Sequence, residues 1–215
     1  MQREFNKILV FDFETGGFST DKNGIVQVGC VAFDRTGKEL GAYSQIVNND
    51  LHIEPSAERV HGISKQACKT QGVPLDVAIK KMLSWYDRAD CHVTFNGLAF
   101  DMRFLRAEAA RCNLTVHEDP EMHIDMFRIM KLIIDPKILK RSLQACCVEY
   151  GVPLEKAHDA TADARATGHL MFEVMARHSL TLEQLASRNI PLPDSRFGMD
   201  PMYALFCGAS SVKNY

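Results

Sequence analysis

The chain has 215 residues, 46% of them apolar and 24% charged, with a formal net charge of −2. That length fits one α/β domain, or a domain of roughly 180 residues with an appendage, and it can bury a core without metal or disulfides. The composition excludes a disordered, collagenous or coiled-coil chain, and the small net charge excludes a global basic field of the kind that coats long nucleic acids. No apolar run approaches the ~20 residues that cross a bilayer, and Ile8-Leu9-Val10-Phe11 is cut by Asp12 too early for a signal-peptide core. A cytoplasmic location away from membranes is therefore expected. The seven cysteines are an odd number with no C-x-x-C pair and read as reduced thiols.

In chain order, Lys7 to Glu14 reads as a buried strand, broken by Thr15-Gly16-Gly17. Gly24 to Asp34 is a second strand, and Arg35-Thr36-Gly37-Lys38 turns it into a third near Glu39 to Val47, which makes an antiparallel meander. Short helical turns suit Ser56 to His61 and Ser64 to Lys69. After Pro74 the spacing predicts a helix with Leu75, Ala78, Ile79, Met82 and Trp85-Tyr86 on one face. Cys91 to Phe95 is a short buried strand closed by Asn96-Gly97, and Ala99 to Cys112 is a helix. Further helices are expected near Met126 to Ile133, Ser142 to Tyr150 and Ala160 to Arg177, the last with Ala164, Thr167, Leu170-Met171 and Val174 as its inner stripe. The succession indicates an α/β fold with a mixed sheet. From Ser179 the texture changes: Leu180 to Asn189 suits a short helix, and Ile190-Pro191-Leu192-Pro193-Asp194-Ser195 an extended stretch. Residues 1–178 are thus expected to form the domain, and 179–215 a tail that docks onto it or onto a partner.

Three acidic constellations stand out. Asp12 and Glu14 lie two apart on a buried strand, so both side chains leave the same face of the sheet. With 27 acids in 215 residues, about three acid-x-acid pairs arise by chance; the setting, an apolar strand ending in a glycine turn, is what singles this one out. Two carboxylates ~4 Å apart repel by about 4 kcal/mol at an effective dielectric of 20, so a buried pair needs a cation. Asp101 stands in the first turn of a helix just after the Asn96-Gly97 reversal, where an acid also favours the helix dipole. His158 and Asp163 would point about 140° apart on one regular helix, so they share a site only if His158 precedes the helix and Asp159 caps it. Ala160, Ala162, Ala164 and Ala166 would let that helix approach the sheet closely.

At these residues the chain resembles a family. Asp12-Phe13-Glu14-Thr15-Gly16, Phe95-Asn96 through Phe100-Asp101, and His158-x-Ala160-x-x-Asp163 follow in order and spacing the three motifs of the DEDDh, DnaQ-like 3′–5′ exonucleases. Ile25-Val26-Gln27-Val28-Gly29, Val60-His61-Gly62-Ile63 and Ile124-Asp125 match secondary motifs. The family often has a second threonine where Gly16 stands and a histidine where Phe95 stands, which touches substrate fit more than metal binding. The resemblance implies a ribonuclease H-like fold, a five-stranded mixed sheet flanked by helices.

It also implies phosphodiester hydrolysis with two divalent cations, Mg²⁺ or Mn²⁺, ~3.5–4 Å apart. Asp12, Glu14 and Asp163 would hold one, Asp12 would bridge to the second, and Asp101 would reach that second one. His158 would take the proton from the attacking water, and 5′-mononucleotides would leave from a 3′ end. Backbone amides of Thr15, Gly16 and Gly17 are candidates to meet the terminal sugar. Phe18, His61 and Phe100 either stack on the last bases or pack in the core. Asn96 either bonds substrate or caps the helix at Ala99. Arg128, Lys131, Lys137, Lys140 and Arg141 either follow the phosphate backbone or form a solvated face. The leading expectation is an exonuclease on single-stranded DNA, free-standing or tethered by its tail to a polymerase or another replication or repair protein. The alternatives are an exoribonuclease trimming RNA 3′ ends and an interaction module.

Overall fold

The computed structural model describes residues 5–133 and 142–186. The expected extended stretch at 190–195, Lys137, Lys140 and Arg141 of the basic segment, and Cys207 lie outside them. Three strands open the chain, β1 (Lys7–Thr15), β2 (Ile25–Asp34) and β3 (Glu39–Asn48), followed by short helices α1 (Pro55–His61) and α2 (Lys65–Gln71). Then come β4 (Val73–Pro74), α3 (Leu75–Tyr86), β5 (Cys91–Thr94), α4 (Asp101–Arg111), β6 (His123–Asp125) and α5 (Met126–Ile133). The remaining helices are α6 (Leu143–Tyr150), α7 (Ala160–His178) and α8 (Leu182–Ala186).

The sheet runs β4-β3-β2-β1-β5-β6. β1, β2 and β3 form the antiparallel meander, while β5 joins β1, and β6 joins β5, in parallel. There are six strands where the resemblance implies five. The addition is β4, two residues parallel to Val47 and Asn48 at the end of β3, too short to show a period of two.

The alternation along β1 divides the core. Ile8 and Val10 face a cluster built with α5, α6, α7 and α8, whereas Leu9, Phe11 and Phe13 face one built with α3 and α4. Phe11, Phe33 and Phe104 are at most 1% exposed, and full burial of such side chains contributes about 1.5–3 kcal/mol each. The expected stripe of α7 is the buried one: Ala164, Thr167, Leu170, Met171 and Val174 all lie inside. Leu182, Leu185 and Ala186 of α8 are buried in the same cluster, so the first part of the expected tail packs on the domain. The six cysteines among the described residues are free thiols. No helix among the described residues is long and apolar enough to cross a membrane.

α4 begins at Asp101 rather than Ala99, because residues 97–100 are spent on a turn in which Phe100 and Met102 both donate to the Gly97 carbonyl, at 3.2 and 2.9 Å. Its N-cap position is Phe100, without a side-chain bond, so Asn96 does not cap it. α7 crosses β2 at Gly29, where a β-carbon would lie 2.2 Å from Ala160 C and 2.3 Å from Thr161 N. Gly29→Ala must push backbone against backbone. It is expected to cost about 1–3 kcal/mol and to lower Tm by several degrees in thermal denaturation followed by circular dichroism; an unchanged Tm would contradict the close crossing.

Candidate active site

The face of β1 that carries Ile8 and Val10 continues with Asp12 and Glu14, so the two acids occupy what would be core positions beneath α7. Asp12 lies opposite Gly29 and Glu14 opposite Gln27 on β2. The start of α7 rests on Gly29 and is fastened by Gln27, whose Oε1 accepts the Ala160 N–H at 3.2 Å and whose Nε2 donates to Asp159 at 3.4 Å. Asp159 caps the helix, accepting from the N–H groups of Thr161 and Ala162 at 3.2 Å each. His158 stands just before the helix in a left-handed conformation, φ 64°, and its N–H donates to Asp163 Oδ2 at 3.1 Å. That backbone reversal is how two residues five apart reach one site.

Asp101 arrives from the other side. β5 pairs with β1 only as far as Val10, which leaves the Phe13 N–H without a strand partner. Asp101 Oδ1 accepts it at 2.9 Å, so a strand edge left open by a short neighbour becomes the anchor of a carboxylate.

Ligand atoms of Glu14, His158 and Asp163 all lie within 4.8 Å of one another. Burial pushes the Asp12 carboxyl well above the usual carboxylate range, and the charges of Asp101, Glu14, Asp163 and Asp159 add to the rise. Burial and the charges of Asp163, Asp101 and Asp159 raise Glu14 to about 7. Asp101 is raised to about 7, chiefly by burial, against the lowering effect of the Phe13 N–H. Burial likewise raises Asp163 to about 6, while the backbone bond from His158 lowers it. Asp163 Oδ1 is buried with no hydrogen-bond partner among the described residues. A buried acceptor without a donor, amid carboxylates that crowd one another, is what a cation satisfies. Four carboxylates and one imidazole are a donor set suited to hard divalent ions such as Mg²⁺ or Mn²⁺.

Comparison with known proteins gives the family. The profile of the RNase_T exonuclease family matches residues 9–171, a span that contains all five of these side chains. The chain belongs to the RNase_T exonuclease family. The 3′-5′ exonuclease DinG of Staphylococcus epidermidis is 25% identical over 170 residues, 78% of this chain and 18% of that protein. The DNA polymerase III subunit epsilon of Treponema pallidum is 26% identical over 173 residues, 79% of this chain and 76% of that protein. A solved complex of E. coli exonuclease I with single-stranded DNA shares the fold, with a TM-score of 0.75 and 19% identity over 82% of this chain and 42% of that one. The chain spans about a fifth of DinG and less than half of exonuclease I.

Around the acids, the residues read as substrate contacts divide by availability. The Thr15 hydroxyl donates to the Gly17 carbonyl at 2.8 Å, and the Gly16 N–H donates to the Gly24 carbonyl at 2.9 Å. The Gly16 amide is thus spent inside the turn and does not reach a sugar. A β-carbon at Gly16 would lie 2.5 Å from the His52 carbonyl oxygen, which explains why threonine is not accommodated there. Phe18 is 77% exposed, and its ring meets Phe100 edge-on at 5.9 Å, with Phe104 5.1 Å beyond. His61 is half-buried, with Nδ1 accepting from the Ile63 N–H at 3.0 Å; burial lowers its pKa and so does the nearby His158. Asn96 adopts φ 66°. Phe95 packs edge-on against Phe127 at 5.8 Å, so the aromatic where the family often has histidine is a packing residue. Gln27 is a functional residue that the acidic motifs do not point to; its signal in the sequence is a lone amide inside the apolar run Gly24 to Phe33.

Proposed function

We propose that the chain is a metal-dependent 3′–5′ exonuclease that hydrolyses single-stranded DNA from its 3′ end and releases 5′-mononucleotides. The observation that carries this reading is the gathering of Asp12, Glu14, Asp101 and Asp163 beside His158, with the proton affinity of every acid raised by burial. Asp12, Glu14 and Asp163 would hold one divalent cation, and Asp12 with Asp101 a second. Two Mg²⁺ or Mn²⁺ ions bound there supply a nucleophilic hydroxide and stabilise the charge on phosphate and leaving oxygen.

The chain's own contribution is placement. β1 and the start of α7 fix three of the acids on rigid elements, and β1 anchors the fourth through the Phe13 N–H. Without cations the four charges repel phosphate; neutralised, they admit it. His158, exposed and next to Glu14 and Asp163, takes the proton of the attacking water and passes it to solvent. The ring pair Phe18–Phe100 offers the terminal bases a stacking edge beside Asp101. Tethering to a polymerase or another replication or repair protein through the segment after Ser179 belongs to this reading, supported by the polymerase III relatives.

The test is digestion of matched 5′-labelled DNA and RNA single strands with Mg²⁺, with Mn²⁺ and with chelator. DNA shortened stepwise from its 3′ end, only with metal, is the expected result. Laddered RNA beside intact DNA would overturn the substrate assignment, and two intact strands would overturn the function. Within the same reading, Phe18→Ala is expected to raise KM for a short DNA strand by about 5- to 160-fold, from ~1–3 kcal/mol of stacking, with little change in kcat or Tm. Steady-state kinetics checks this.

A further inference from the structure

Asp125, the last residue of β6, is 3% exposed and takes no part in the chemistry proposed above. Its carboxylate is nevertheless a hub. Oδ1 accepts the N–H of Asn96 at 2.9 Å and of Phe127 at 3.1 Å. Oδ2 accepts the N–H of Leu98 at 3.1 Å and lies 4.0 Å from Arg128 Nε. The Phe127 bond is local, two residues along the chain, and the Arg128 backbone adds another local one. The Asn96 and Leu98 N–H donors belong to the reversal that carries the chain from β5 into α4, the segment that sets where Asp101 stands.

That reversal is tight. It passes through Asn96 at φ 66°, a left-handed conformation that asparagine tolerates better than most side chains, and the bond from the Asn96 N–H to Asp125 holds it in place. The Gly97 carbonyl then receives the N–H groups of Phe100 and Met102, at 3.2 and 2.9 Å. A continuous set of bonds therefore runs from Asp125 through Asn96 and Leu98 to the Gly97 carbonyl and the first turn of α4. At the end of that path Asp101 is held a second time, by the Phe13 N–H.

We propose that Asp125 is a positioning residue: by clamping the reversal between β5 and α4 it fixes Asp101 at the distance from Asp12 that cation binding requires. The proposal rests on the reading of Asp101 as a metal ligand. A carboxylate is specifically needed, because it is acceptor-only and both its oxygens face N–H groups. Asparagine at this position would turn an amide NH₂ toward a backbone N–H, and either the Leu98 bond or the Asn96 and Phe127 bonds would be lost. An outer partner that orients a ligand in this way commonly commands 10- to 100-fold in metal affinity or activity.

Mn²⁺ titration by calorimetry, together with Tm and hydrolysis across metal concentrations, tests the assignment on Asp125→Asn and Asp101→Asn. Asp125→Asn is expected to weaken Mn²⁺ binding by about 10- to 100-fold and to recover most of its turnover at high Mn²⁺, because Asp101 is still present. Asp101→Asn is expected to recover none. Should Asp125→Asn fail to fold, Asp125→Glu keeps two acceptor oxygens but moves them by one methylene, and the same weakening is expected. A variant at position 125 with lowered Tm but wild-type Mn²⁺ affinity would overturn the positioning role and leave the metal-site reading intact. Wild-type Mn²⁺ affinity and turnover in Asp101→Asn would instead overturn the metal-site reading itself.

Discussion

Asp12→Asn is expected to abolish hydrolysis while making the metal-free protein more stable. The substitution keeps the shape of the side chain and removes the charge that stands among Asp101, Glu14, Asp163 and Asp159. Like charges 4–5 Å apart repel by roughly 3–4 kcal/mol at an effective dielectric of 20, and partial protonation relieves much of this. A net gain of about 1–2 kcal/mol in the metal-free state is therefore expected, or a Tm rise of several degrees. Saturating Mg²⁺ or Mn²⁺ should raise the Tm of the unsubstituted protein and raise that of the variant much less, since one ligand is gone. Differential scanning fluorimetry with and without chelator checks both, and a metal response equal in the two proteins would remove Asp12 from the site.

The same crowding sets the pH dependence. Glu14 is raised from 4.5 to about 7, Asp101 from 3.8 to about 7 and Asp163 from 3.8 to about 6. In each case the folded state binds its proton more tightly than the unfolded state does. Between about pH 4 and pH 7 the folded chain thus carries more protons, and stability falls as the pH rises. That contribution is fully present below the unfolded values and lost above the folded ones. The metal-free protein should melt at a higher temperature at pH 5 than at pH 8. Saturating divalent cation should flatten the difference by replacing the protons, and Asp12→Asn should reduce it without metal by removing the share that Asp12 itself contributes.

Much of this architecture is legible in the sequence because its signals are local. Alternation assigns Ile8 and Val10 to one face of β1 and Leu9, Phe11 and Phe13 to the other, and carries Asp12 and Glu14 to the face that meets α7. The geometry of a helix alone requires His158 to lie outside α7, and its φ of 64° shows how this is done. What local pattern does not record is who receives a distant hydrogen bond. The fastening of α7 by Gln27 joins residues 133 apart, and the anchoring of Asp101 to β1 joins residues 88 apart. The His52 carbonyl that fills the space beside Gly16 is likewise invisible in the run Thr15-Gly16-Gly17. β4 and β6, of two and three residues, are too short for any period and exist because a neighbouring strand is already there. The acids could be named from order and spacing; the supports that hold them required the fold.

His158→Asn is expected to lower turnover by about 10²- to 10⁴-fold, the usual worth of a positioned general base, which corresponds to about 3–5 kcal/mol of barrier. Asparagine is the informative replacement because it tolerates the left-handed backbone that His158 adopts, whereas alanine there would add backbone strain to the loss of the imidazole. The bond that ties this residue to Asp163 comes from its main-chain N–H and survives either change, so the start of α7 should stay in place. Asp12, Glu14, Asp101 and Asp163 remain, and the variant should keep the rise in Tm produced by Mg²⁺ or Mn²⁺. The pairing of a lost rate with a retained metal response is what separates a base from a ligand, since the His158 ring nitrogen lies within 4.8 Å of the Glu14 and Asp163 oxygens and could serve as either. A variant that loses the metal response along with its rate would make the imidazole a ligand, and a variant with near-normal turnover would leave the water to be deprotonated without it.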